Sequence, residues 1–179
     1  MKNIFFDIND LAHVGTGVII GKTVRIRNPK NVFIGDNCII DDFTYISSHL
    51  NLGNYSHIAS NVNISGSSGK LTTGEYCGIG AFNSIHCATS DFFKATLDMP
   101  SVPDDSRFGG YEEEIIFGNN IQLGSHTTIM PGVKLPDGVA TAAQTVLRKK
   151  KYEAWTLYSG FNAKKTIKRD NSAIKKSIK

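Results

Sequence analysis

Aliphatic residues mark every sixth position over most of the chain. The beat runs Val14, Ile20, Ile26, then Ile34, Ile40, Ile46, Leu52, Ile58, Ile64. It resumes at Thr73, Ile79, Ile85, and again at Phe117, Leu123, Ile129, Leu135, Thr141 and Leu147. Glycine often follows, as at Gly15, Gly21, Gly35, Gly53, Gly74, Gly80, Gly118 and Gly124. A period of six matches neither a helix nor a simple strand. It predicts a solenoid of short strands in which each sixth side chain points into a shared core.

The interruptions refine this. The spacing gains two residues between Ile26 and Ile34, three between Ile64 and Thr73, and 26 between Ile85 and Phe117. Grouped in threes from Val14, every insertion follows a third beat. Three strands then make one coil of a triangular prism, and all extra residues emerge at one corner. Gly and Asn at the turns, as in Gly35-Asp36-Asn37 and Gly118-Asn119-Asn120, tolerate the backbone angles of a sharp corner. After Leu147 the beat is expected to end, with an extended stretch over 152–161 and a short helix over 162–169 capped by Asn162. The expected architecture is all-β: a triangular solenoid of about six coils over 1–147, with a loop inserted at about 88–115. A lead-in of 13 residues caps its open end, and a basic extension with a short C-terminal α-helix fills 148–179.

Charge is unevenly spread. The chain of 179 residues carries a net +4, yet 148–179 hold 11 Lys/Arg and two acids, leaving the rest acidic. Such an end suits a phosphorylated ligand, a membrane surface, nucleic acid or simply solvent. Without motif support, nucleic acid is the weakest of these. No apolar run reaches the roughly 18 residues a membrane span requires. The start lacks a long apolar stretch of the signal-peptide type. The three cysteines lack CxxC spacing, as expected of reduced thiols in a cytoplasmic protein.

Several segments carry a resemblance. The aliphatic–Gly–x–x–small–x repeat resembles that of the hexapeptide acyltransferases, over about residues 14–169, and the resemblance implies their left-handed parallel β-helix. Ile116-Phe117-Gly118-Asn119-Asn120-Ile121-Gln122-Leu123-Gly124-Ser125-His126, with Met130-Pro131-Gly132-Val133, is similar to a segment of the galactoside and maltose O-acetyltransferases. Cys87-Ala88-Thr89-Ser90-Asp91-Phe92 resembles sugar acetyltransferases of surface-polysaccharide pathways. Tyr158-Ser159-Gly160-Phe161-Asn162-Ala163-Lys164 resembles their terminal segment, with Asn162 in place of the usual proline. The resemblance implies a homotrimer, with acetyl-CoA as acyl donor in a groove between prisms and the acceptor near the long loop. No metal is implied.

Acetyl transfer needs a base, donors for the developing oxyanion and a cleft for the thioester. The second side of the prism should turn His57/Ala59, Gly78/Gly80, Gln122/Gly124 and Ala140/Ala142 outward. That face of small residues suits a pantetheine arm or a close-packed trimer contact. His57, at its end, is the first candidate base. His49, at the corner of the insertions, is the second. Where the family motif has its catalytic histidine, this chain has Asp91, which could orient a histidine or bind sugar hydroxyls. Asn61 matches a substrate-binding asparagine of the family. His86 and Phe92, beside the long loop, could contact the acceptor, and the acids and aromatics of 90–115 suit a sugar ring. For the coenzyme, the carry-over points to Gly124, Ser125, Ala142 and Ala143 along the pantetheine. It places Arg148, Lys149 and Lys164 near the phosphates.

The expected activity is acetyl-CoA-dependent O-acetylation of a sugar hydroxyl in surface-polysaccharide synthesis, by direct transfer, since Cys77 and Cys87 lack an obvious adjacent base, although Cys87 follows His86 in sequence. The alternatives are N-acetylation of a nucleotide-linked amino sugar, which demands less of a base, and a non-catalytic trimeric solenoid.

Overall fold

Every beat of the repeat lands in register with the beat one coil away. On the second side the pairs run Ile20 to Ile40, Ile58, Ile79, Leu123 and Thr141, all parallel. On the third they run Ile26 to Ile46, Ile64, Ile85, Ile129 and Leu147. The computed structural model, which describes residues 3–177, is thus a parallel β-solenoid with three faces. One face carries six strands from His13–Val14 to Lys134–Leu135, another six from Arg25–Ile26 to Val146–Leu147, and the remaining face eight. Parallel stacking at about 4.8 Å per coil buries each aliphatic side chain on its neighbours above and below. Ile34, Ile40, Ile46, Ile58, Ile64 and Ile85 are fully buried.

A second inward position was not visible in the sequence. From Ile26 onward, residues two before the beats are also buried, among them Cys38, Thr44, Val62, Cys77, Asn83, Thr127 and Thr145. They mix apolar and small polar types, so they carry no hydrophobic rhythm. The two polar beats are satisfied internally. Thr73 Oγ1 accepts from the Gly53 N–H at 3.0 Å, and Thr141 Oγ1 accepts from the Gly124 N–H at 3.0 Å.

Two of the three corners are built alike. The third residue after the beat takes the left-handed conformation in both: Asn37, Tyr55, Tyr76, Asn120 and Trp155 at the first corner, and Phe43, Asn61, Phe82, His126 and Gln144 at the second. Each costs about 1–2 kcal/mol in isolation, and backbone bonds to the preceding coil hold it, as from Tyr55 N–H to Asp36 O at 2.8 Å. Side chains also cap the first corner. Thr16 N–H donates to Asp36 Oδ1 at 2.8 Å, Asp36 N–H to Asn54 Oδ1 at 2.8 Å, and Asn119 N–H to Asp137 Oδ1 at 2.8 Å. A Cβ on Gly15, Gly35 or Gly118 would collide with those same oxygens. Glycine after the first beat is therefore the space the cap occupies.

The lead-in covers the open end as expected. Asn3 is buried and its Nδ2 donates to Gly21 O and Val24 O at 3.1 and 2.7 Å. The other end differs from expectation in two ways. The beat continues into a partial seventh coil: Tyr158 pairs with Thr141, and Tyr152 and Tyr158 are buried edge to face at 5.1 Å. Tyr152 follows Leu147 by five residues, which hid it from a search at six. The segment expected as a helix over 162–169 is instead a strand, Lys164–Lys168, antiparallel to Thr156–Ser159. A short isolated helix is marginal in water, whereas the last coil offers an unpaired row of backbone groups. Gly160 and Ala163, both with positive φ, make the turn. The short helix lies further on, at Ser172–Ser177.

Candidate active site

The third corner departs from the other two, and there the structure opens a cleft of about 640 Å³. One wall is the solenoid: Arg27, Ser47 and Ser65 follow successive third beats, and Gly66-Ser67-Ser68 is the inserted triplet. The other wall is the long loop, through Thr89, Ser90, Asp98, Arg107, Tyr111 and Glu112. The loop is an antiparallel ribbon. Ala88–Thr89 pairs with Tyr111–Glu112, and Leu97 bridges Phe108 further out.

Three consecutive glutamates hold its returning leg. Glu112 accepts from Ser68 Oγ at 2.7 Å, Glu113 from Lys149 Nζ at 2.7 Å, and Glu114 from Thr72 Oγ1 at 2.8 Å. Tyr111 also donates to Glu113. The Lys149 hydrogen bond, then that of Tyr111, holds the Glu113 carboxyl below the usual glutamate range. These glutamates were expected to face a sugar ring; they fasten the loop to the prism, and Glu112 alone also lines the cleft.

The sequence-derived candidates fall on separate surfaces. His86 does not line the cleft; it stands one coil beyond Ser65, which does, with its Nδ1 3.2 Å from the Ser65 hydroxyl. Burial lowers the pKa of its imidazole, which favours the neutral form. Asp91 lies in the loop, where its carboxylate accepts from the Phe93 and Lys94 N–H groups and its own N–H donates to Asp98 at 3.2 Å. Phe92 is 85% exposed beyond the cleft. His49 contacts Asn31 Nδ2 at 3.0 Å. His57 is on the second face, paired with Asp41 at 2.8 Å, a partner the sequence did not suggest. Asn61 is a left-handed corner residue.

The coenzyme candidates are brought together in part. Gly124 N–H donates to Thr141 O at 3.1 Å, and a Cβ on Gly124 would meet Ala143 N at 2.6 Å. Coil stacking itself therefore requires glycine at position 124. Gln122 covers Gly78, so the face is less smooth than expected. Arg148 stacks 4.1 Å above the Phe161 ring, and Lys149 is held by Glu113. Lys164 is exposed on the last strand and has no side-chain partner among the described residues. Burial pushes the thiols of Cys77 and Cys87 up to about 11, so neither is a thiolate near neutral pH.

Arg27 and Arg107 were missed. Their signal was present, since Arg27 follows a third beat as His86 does and Arg107 lies within the insertion, but only the fold shows that they share a cleft. Among the described residues no group of three or more His, Cys, Asp or Glu side chains could hold a metal ion. Among them no helix is long and apolar enough to cross a membrane.

No protein-family model matches the chain, and neither does any curated protein. Solved structures do. AntD, an N-acyltransferase from Bacillus cereus seen with dTDP and 3-hydroxybutyryl-CoA, superposes with a TM-score of 0.86 at 26% identity, over 98% of this chain and 95% of that one. A mutant of AntD holding dTDP-4-amino-4,6-dideoxyglucose and coenzyme A superposes at 0.87 and 26% identity, over 99% and 96%. A hexapeptide-repeat-containing acetyltransferase from Vibrio cholerae shares the fold alone, at 0.61 and 16% identity over 90% and 76%. Repeat, solenoid and full-length likeness identify this chain as a hexapeptide-repeat protein, consistent with the hexapeptide-repeat acetyltransferase family.

Proposed function

We propose that the chain transfers an acyl group from a coenzyme A thioester to an amino group on a nucleotide-linked sugar. The observation that carries this is a cleft lined by both charge signs, Arg27 and Arg107 with Asp98 and Glu112, in a chain that matches an N-acyltransferase over nearly its whole length. An acceptor with phosphates and an amine presents the complementary charges. This is the expected alternative, favoured here over O-acetylation because nothing in the cleft singles out a hydroxyl. It is favoured over a non-catalytic solenoid because a structural array has no use for such a cleft.

The chemistry is direct. The amine attacks the thioester carbonyl, the C–N bond forms, the C–S bond breaks, and coenzyme A leaves as thiolate. A neutral imidazole takes the proton that the amine sheds. His86, in contact with the cleft-lining Ser65, is one candidate, and His57, paired with Asp41, is the other.

The donor and acceptor regions lie on opposite sides of one prism. The second face runs between the first and second corners and so points away from the third. Coenzyme A laid along Gly124, Ser125, Ala142 and Ala143, with Lys164 free for phosphate, would meet an acceptor cleft only on a neighbouring copy. A closed homotrimer supplies that neighbour. Exposed Ile19, Ile39, Phe43 and Phe82 on and beside the second face favour its burial between subunits.

The test is thiol release from acetyl-CoA with dTDP-4-amino-4,6-dideoxyglucose and with its 4-hydroxy counterpart. Release with the amine and not with the alcohol is expected. Release with the alcohol alone would restore O-acetylation, and neither release nor coenzyme binding would favour the non-catalytic solenoid.

A further inference from the structure

The solenoid wall of the cleft rests on one column, in which Arg27, Ser47 and Ser65 line the cleft and His86 stands one coil beyond it. Arg27, Ser47, Ser65 and His86 each follow a third beat, in four successive coils, and they are the outward residues of one column. At about 4.8 Å per coil the row spans roughly 14 Å, near the length of a sugar diphosphate. Its ends differ in chemistry: a guanidinium at Arg27 and an imidazole at His86.

Arg27 also differs from every other arginine of the chain. Arg25 lies over Phe5 and Tyr45, and Arg107 pairs with Asp104. Arg148 stacks on Phe161, and Arg169 donates to Asn120 O and Gly138 O while lying over Trp155. The Arg27 guanidinium has no partner among the described residues, yet it lines the cleft. The two carboxylates there are engaged in part, Asp98 with the Asp91 N–H and Glu112 with Ser68 Oγ. The hydroxyls of Ser47, Ser65 and Ser68 border the same space as donors for phosphate oxygens.

We propose that Arg27 is the anion anchor of the cleft. It holds the acceptor's diphosphate at one end of the row, so that the sugar lies toward His86 and Arg107 closes over the phosphates from the loop. This rests on the nucleotide-linked acceptor proposed above and adds its orientation and the residue that sets it. A planar five-donor guanidinium binds phosphate bidentately, which an ammonium cannot copy.

Isothermal titration calorimetry with thymidine diphosphate, on the full chain and on Arg27→Ala, Arg27→Lys and Arg107→Ala, tests the anchor. Acetyl-CoA binding serves as the control for folding and for the donor site. Arg27 is exposed, so its removal leaves the core intact. Arg27→Ala is expected to weaken the diphosphate by about tenfold or more, with Arg27→Lys between it and the native chain and acetyl-CoA unchanged. Native binding with Arg27→Ala within twofold of it would overturn the anchor and leave the proposed reaction standing. A native chain that binds acetyl-CoA but not thymidine diphosphate would overturn the nucleotide-linked acceptor, and the anchor with it.

Discussion

The first two corners of the prism and the third are made from the same repeat but use their polar groups in opposite ways. At the first, Asp36, Asn54, Asn119 and Asp137 cap the preceding coil, and glycine makes room for each cap. At the second, Asp42 caps Thr23 through both backbone and hydroxyl, which lowers its carboxyl pKa. At the third, the chain swells by insertion, and Arg27 and the nearby serines face a cleft instead of a neighbouring coil. Regular corners satisfy themselves; the irregular one keeps polar groups available for a ligand.

That contrast can be broken at either side. Ile64→Ala, in a fully buried beat, should cost about 2–5 kcal/mol in urea unfolding. A cost under about 1 kcal/mol would mean that coils do not share one core. At the third corner His86→Asn should lower kcat about 100-fold with an unchanged unfolding midpoint, and His57→Asn should be the stronger variant only if the base comes from the neighbouring second face. Gly118→Ala, which intrudes on Asp137 and lies 2.8 Å from its backbone N, should lose stability and little else. About 1–3 kcal/mol is expected for that overpacking, read by thermal denaturation.

The smallest effect belongs to the loop clip. Glu113 has a folded carboxyl below its unfolded value, so its contribution is complete above the ordinary glutamate range and fades as pH falls through the lowered value. Glu113→Gln should therefore leave melting at pH 7 nearly unchanged but speed proteolysis within 90–111. Acid should speed the cleavage more in the native chain than in the variant, which keeps only the Glu112 and Glu114 contacts.

Much of this contrast was legible in the chain. Spacing alone located the coils, the corner of the insertions and the loop, because a six-residue stack tolerates added residues only where they can leave the prism. The seventh coil was hidden by a one-residue deletion before Tyr152 and by tyrosines in place of aliphatics. The strand Lys164–Lys168 was misread because its lysines and asparagine cap suit a helix locally, and only the unpaired edge of the last coil decides otherwise. Near the site, His86 could be proposed from its position beside the loop, and Asp91 from the family motif. Arg27 could not, since about 60 residues separate it from the loop in sequence and only coil stacking brings them to one cleft. The Asp41 partner of His57 was likewise a neighbour only across coils.

The reversed final strand has a consequence for how the molecule behaves in a crowd. A parallel stack has no natural end: its last coil presents the same hydrogen-bonding row as every coil before it, and another stack could continue it into a fibre. Here Lys164–Lys168 runs against the stack, and all five of its residues are exposed. Lys165 and Lys168 meet around Glu153, and Lys168 also donates to Ala154 O. A further molecule would have to pair with a lysine-rich edge of the wrong direction. The reversed strand thus covers the edge on which a self-templating stack would otherwise continue.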